Sequence, residues 1–151
     1  MNSKDKQNLL KAGEISKEIK KHIKTIVKKD KSMLKLAEEI ESKILELGGE
    51  IAFPVNLSIN DIAAHHTPSH DDTELTHGLL KVDFGVAING FTADSAISFD
   101  LEDSEENTKL IVAAEESLKN ATSLVLKDKQ KTKIREIGKE IQITCEKHNL
   151  Q

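Results

Sequence analysis

With a single cysteine, Cys145, among its 151 residues, the chain cannot form an internal disulfide. It also lacks any apolar run approaching the roughly 20 residues that cross a bilayer. The opening MNSKDKQNLL has no hydrophobic stretch of the kind a signal peptide carries, so the cytoplasm is the expected compartment. Charge of one sign is missing too. The 22 basic and 26 acidic residues leave a formal charge of -4, which supplies no whole-chain basic field for nucleic acid or an anionic membrane. Lysines crowd residues 4–35, but they interleave with apolar residues at helical spacing, the pattern of a solvated helix face rather than a binding patch. No repeat of fixed period and no low-complexity linker divides the chain, so one domain over 1–151 is expected.

What is present suits a folded protein: 37% of residues are hydrophobic and 32% charged, polar for a globular chain yet far from the composition of disordered ones. From Ser3 to Lys28 the residues Leu9, Ala12, Ile15, Ile19, Ile23, Ile26 and Val27 recur every three or four positions and predict an amphipathic helix. Ser32 offers an N-cap oxygen for a second helix, whose stripe runs from Met33 to Leu47 and stops at Gly48 and Gly49. Between Glu50 and His77 that period disappears, and Pro54, Asn56, Asn60 and Pro68 predict short strands joined by loops. Two strands follow around Asn89-Gly90, a dipeptide suited to the two-residue type I′ turn. Beyond the acidic stretch 100–106, Leu110, Ile111, Ala114, Leu118, Ala121, Leu124 and Val125 predict a third helix. Ile134, Ile137, Ile141 and Cys145 predict a fourth, with His148 in its last turn and Cys145 packed as a small hydrophobe.

The turn fixes the hairpin's register. If Asn89 and Gly90 are its two residues, Ile88 faces Phe91, Gly85 faces Asp94 and Asp83 faces Ala96. Val82, Phe84, Val86, Ile88, Phe91, Ala93, Ile97 and Phe99 then form a core face interrupted only by Ser95, while Asp83 and Asp94 share the other face as diagonal neighbours. Two carboxylates so placed raise one another's pKa unless a proton or cation lies between them, and a divalent ion is a usual occupant. Gly85, with no side chain, would leave room for one. The spacing equally fits two aspartates on the solvent side of an exposed hairpin.

The neighbouring sequence decides between these. AFPVNLSINDIAAHHTP (Ala52–Pro68) followed by LLKVDFGVAINGFTADSAISFD (Leu79–Asp100) resembles the type II, archaeal and eukaryotic-like methionine aminopeptidases of the pita-bread metallopeptidase superfamily. Asp83 and Asp94 stand eleven positions apart in DFGV and GFTADSA contexts, as that family's first two metal-binding aspartates do, and the resemblance implies that role for both. His65, in AAHHTP, matches the histidine of the family's AAHxTP motif, implicated in holding substrate near the metals. The next residue is usually tyrosine; here it is His66, a second imidazole that leaves a one-position ambiguity, with alignment favouring His65. The motif also separates the sequence from the prolidase and type I branches. His22, His70, His77 and His148 read as surface or packing residues.

The implied fold is α+β: the N-terminal half of a pita-bread domain, an antiparallel sheet with about four helices on one side. The implied chemistry is removal of the N-terminal methionine from nascent polypeptides by two divalent metal ions (cobalt, manganese, iron or zinc) that activate water and polarise the scissile carbonyl. The family draws a histidine and two glutamates from segments beyond the fourth helix. No catalytic set is therefore expected to be complete here, and a C-terminal half polypeptide is the expected partner. The other class that fits is a noncatalytic remnant or binding module, although a remnant has no physical reason to keep two repelling carboxylates on one face.

Overall fold

The computed structural model describes residues 1–128 and 131–150, in the order α1 (Ser3–Ile26), α2 (Met33–Glu46), β1 (Glu50–Ile59), β2 (Leu79–Ile88), β3 (Phe91–Asp100), α3 (Glu105–Asp128) and α4 (Ile134–Lys147). It is an α+β chain with two compact units, Met1–Glu102 and Asp103–Gln151. Among the described residues no helix is long and apolar enough to cross a membrane.

The first unit starts with a helix closed by a capping box. Asn2 Oδ1 accepts from Asp5 N at 2.8 Å, and the Asp5 carboxylate accepts from Asn2 N at 3.3 Å, so two otherwise orphaned amides are satisfied. Ser32 Oγ caps α2 by accepting from Lys35 N, and Gly48, at φ +79, turns the chain out of that helix as the Gly-Gly pair predicts. Ala12, Ile15, Ile19 and Ile23 of α1 meet Met33, Leu36, Ala37, Ile40 and Ile44 of α2 over one face of the sheet. Val55, Leu57 and Ile59 of β1 and Leu80, Val82, Phe84, Val86 and Ile88 of β2 complete this core.

The sheet is antiparallel in the order β1-β2-β3, and its β2–β3 register is the one the turn dictates, with Ile88 opposite Phe91 and Gly85 opposite Asp94. Asn89 and Gly90 both have positive φ, 50 and 81, as the type I′ turn requires. Ser95, the polar break in the core face, is reached by Ser16 of α1, whose hydroxyl donates to Ser95 Oγ at 2.9 Å. A side-chain partner from the helix layer makes that burial tolerable.

β1 departs from the sequence expectation. It is one ten-residue strand, not several short ones, because two register shifts between Ile51 and Asn56 absorb Pro54. Proline is tolerated on an edge strand, and the disturbed backbone finds a side-chain partner: Val55 N donates to Glu41 Oε1 of α2 at 3.0 Å.

In the second unit α3 and α4 pair along a seam of small residues. Ala113, Ser117, Ala121 and Thr144 are buried, Asn120 Nδ2 donates to Thr144 Oγ1, and Ser117 Oγ lies 3.5 Å from Cys145 Sγ. The apolar stripe of α3 is therefore only partly the packing seam: Leu118 is 64% exposed, while the polar Ser117 is buried against α4. His148 is the C-cap of α4, one residue past the helix, and not within its last turn. Its Nε2 lies 2.8 Å from Glu116 Oε2, a structural partner that fits the packing role.

Candidate metal centre

Strand alternation places Asp83 and Asp94 on the sheet face opposite α1 and α2, because Val82, Phe84 and Val86 are committed to the core. The three strands make a grid there. Asn56, Asp83 and Ala96 lie across from one another in one row, and Phe53, Gly85 and Asp94 in the next. Asp83 is half-buried and Asp94 exposed. Burial is the first cause holding the Asp83 carboxyl above the usual carboxylate range, the Asp94 charge is the second, and His65 opposes both. Repulsion between the aspartates is thus present as the hairpin pattern implies, but desolvation outweighs it.

His65 and His66 do different things. His66 is laid against the outer edge of β1: its carbonyl accepts from Leu57 N at 2.7 Å and its Nδ1 lies 2.9 Å from Leu57 O. Thr67 Oγ1 adds a bond to Asn56 Oδ1 at 3.0 Å. These ties hold the backbone immediately after His65, which is exposed and sits at φ +64, a left-handed conformation uncommon for a residue with a side chain. Of the two imidazoles, His65 is the one whose charge bears on Asp83.

The reading of Gly85 needs correction. A Cβ at this position would come within 2.5 Å of Phe53 Cε1 and 2.8 Å of Ala52 Cβ, so the room left by the missing side chain is taken by these β1 side chains. Phe53 was missed in the sequence because its neighbour is set by a bulged register that no local pattern reveals. Lys81 was missed as well. It shares the aspartates' face two residues before Asp83, its Nζ donates to Asn60 O at 2.5 Å, and burial pushes its ammonium pKa down. Strand alternation could have placed it. Among the remaining histidines, His22 lies 3.8 Å from Glu39, His70 is exposed, and His77 Nδ1 lies 2.9 Å from Leu75 O.

Chemically, the aspartate pair offers only oxygen donors, which suit hard or borderline divalent ions. A cation between them would offset both causes that raise the Asp83 pKa, so the residues present fit part of a divalent site. Two carboxylates leave most of a coordination sphere to other groups.

The raised Asp83 pKa has a sign that can be tested. A carboxyl that holds its proton more tightly folded than unfolded contributes stability that is full below the unfolded pKa and lost as pH rises through the folded one. Metal-free Asp83→Asn, which mimics the protonated form, is expected to melt above the parent at pH 7. The gap should close as pH falls toward the ordinary carboxylate value. Thermal scans in a chelator at stepped pH measure it; a gap independent of pH would show that Asp83 ionisation is not the cause.

Residues 7–151 match metallopeptidase family M24. Over 142 residues the chain is 44% identical to the methionine aminopeptidase of Thermococcus onnurineus, covering 93% of this chain and 46% of that protein. It is 41% identical over 140 residues to the methionine aminopeptidase of Pyrococcus abyssi, covering 91% and 46%. The chain thus spans about half the length of these relatives. In fold it is similar to methionine aminopeptidase from Rickettsia prowazekii, with a TM-score of 0.84 at 21% identity over 99% of this chain and 62% of that one. Prolidase from Pyrococcus furiosus gives a TM-score of 0.75 at 16% identity, over 97% and 44%.

Proposed function

This chain belongs to metallopeptidase family M24, and from that premise we propose that it is the N-terminal half of a type II methionine aminopeptidase. In that enzyme this half would supply Asp83, Asp94 and His65 to the removal of the N-terminal methionine of new polypeptides, and a C-terminal half would supply the remaining ligands. The observation that carries this reading is the diagonal placement of Asp83 and Asp94 on the face away from α1 and α2, with the His65 charge bearing on Asp83. Both compact units are assigned to this one half of a catalytic domain.

In this reading Asp83 and Asp94 are metal ligands and His65 positions substrate. When bound, a pair of divalent ions (cobalt, manganese, iron or zinc) would supply activated water and polarise the scissile carbonyl. The chain's own residues do the rest. The buried side chains of Val82, Phe84 and Val86 fix the strand that aims Asp83, and the ties of His66 and Thr67 to β1 present His65 beside it. A left-handed residue held by its neighbours is a frequent feature of ligand-clamping sites, which supports a positioning role for His65. The general base and the other metal ligands come from the partner half. The competing reading is a noncatalytic remnant or binding module of the same fold. It leaves the cost of two carboxylates sharing one face unexplained.

Manganese titration of the isolated chain tests the ligand assignment. A hard cation on two carboxylates and water should bind weakly, with a dissociation constant of about 0.1–1 mM. Asp83→Asn with Asp94→Asn should abolish that binding. Submicromolar manganese affinity that survives the double substitution would place the site elsewhere.

A further inference from the structure

The segment between β1 and β2 brings together His66, Asp72 and Glu74. One ligand atom from each lies within 4.8 Å of the other two. We propose that these three side chains form a second, separate site for one divalent transition-metal ion of borderline softness, zinc or cobalt. None of them belongs to the aspartate pair, and the site stands whether or not the enzymatic reading above is correct.

The donor set selects the ion. One imidazole nitrogen with two carboxylate oxygens favours zinc or cobalt over calcium or magnesium, which prefer oxygen donors throughout. The imidazole is also held as a ligand needs to be. Leu57 O, 2.9 Å from His66 Nδ1, can only accept, so Nδ1 carries the proton and Nε2 keeps its lone pair in the neutral ring. Metal-binding histidines are characteristically oriented by such a bond from the opposite nitrogen to a backbone carbonyl.

The carboxylates sit on anchored backbone. Asp72 is half-buried; its amide donates to Ser69 O at 3.0 Å, and its Oδ1 accepts from Glu74 N at 2.7 Å. The Glu74 carbonyl accepts from Met33 N at 3.0 Å, and Ser32 bridges to Leu75, so this part of the segment is tied to the start of α2. His66 is tied to β1. The three donors thus hang from two fixed elements, β1 and α2, and an ion between them would clip the segment to both. Neighbouring Asp71 accepts from Ser69 Oγ at 2.7 Å, with His70 Nδ1 3.9 Å from its carboxylate. The ion would also stiffen the backbone next to His65, and that consequence alone rests on the role given to His65 above.

The whole chain carrying Asp83→Asn and Asp94→Asn is the right background, because it removes the aspartate pair and leaves these residues intact. Calorimetry with zinc chloride should show one ion per chain, and cobalt should give a ligand-field absorption band. Amide exchange over residues 61–76 should slow when zinc is added. Adding His66→Gln, or separately Asp72→Asn, should weaken zinc at least about tenfold with unchanged far-ultraviolet circular dichroism. In the chain with Asp83 and Asp94 restored, His66→Gln should leave manganese binding as it was. Zinc affinity and stoichiometry unchanged by His66→Gln, or no zinc bound in the Asp83/Asp94 double variant, would overturn the proposal; the first result would mean adventitious binding only.

Discussion

Mixing this chain with a C-terminal half that bears a histidine and two glutamates is expected to produce methionyl-peptide hydrolysis, while the metal-loaded chain alone stays at background. The difference should be at least about a millionfold, the lower end of what enzymes achieve over uncatalysed reactions. The reason is coordination. Metal-assisted hydrolysis needs a fixed geometry around the ion, and two carboxylates cannot impose one. Association supplies the missing ligands, so partner binding and metal binding should strengthen each other by the same factor. Two substitutions separate the roles within the mixture. His65→Ala should cut turnover by about 100-fold, the scale of losing substrate alignment, with assembly and metal content nearly intact. Asp94→Asn should lower metal content together with turnover. Size-exclusion chromatography, metal analysis and peptide hydrolysis on the same samples make the comparison. Robust turnover by the chain alone would remove the need for a partner. Two matched halves that neither associate nor hydrolyse substrate with metal present would leave the remnant reading in its place.

The elements that sequence alone foretold are those whose signals are local. Asn89-Gly90 dictates a two-residue turn, and the turn fixes every pair between β2 and β3, so the diagonal of Asp83 and Asp94 follows from the sequence alone. The stripes of α1 and α2, the Ser32 cap and the Gly48 exit were legible for the same reason. The rest depended on which segments meet. Pro54 argues against a continuous strand until it is seen that β1 lies at the sheet edge and that Glu41, fourteen residues earlier, satisfies the Val55 amide. Gly85 read as space for an ion because nothing local foretells Phe53 reaching it from β1. His66 read as an ambiguity beside His65, and only the return of its segment along Leu57 separates the two imidazoles and brings Asp72 and Glu74 near one of them.

Phe84→Ala should be the most destabilising of the substitutions considered, although it removes neither charge nor ligand. Phe84 is fully buried, among the largest such side chains in the chain, and sits between Asp83 and Gly85 on β2, the central strand. Truncating a buried phenylalanine costs about 3–5 kcal/mol, from lost transfer free energy and the cavity left behind. Against a typical domain stability of about 5–15 kcal/mol, that is enough to populate unfolded chain near neutral pH without denaturant if this unit lies at the low end. The sequence has no tryptophan or tyrosine, so urea unfolding is best followed by far-ultraviolet circular dichroism. The midpoint should fall sharply for Phe84→Ala and stay near the parent for Asp94→Asn, whose side chain is exposed. Manganese binding should separate them the other way. Phe84→Ala should keep its aspartates competent in the fraction that remains folded, so raising manganese should shift its unfolding midpoint upward through linkage. Asp94→Asn, folded but lacking a ligand, should show a much smaller shift. A loss below about 1 kcal/mol on Phe84→Ala, the middle of the range for point substitutions generally, would mean that the helix layer does not hold β2 through this side chain. The rigidity assigned to Asp83 would then need another source.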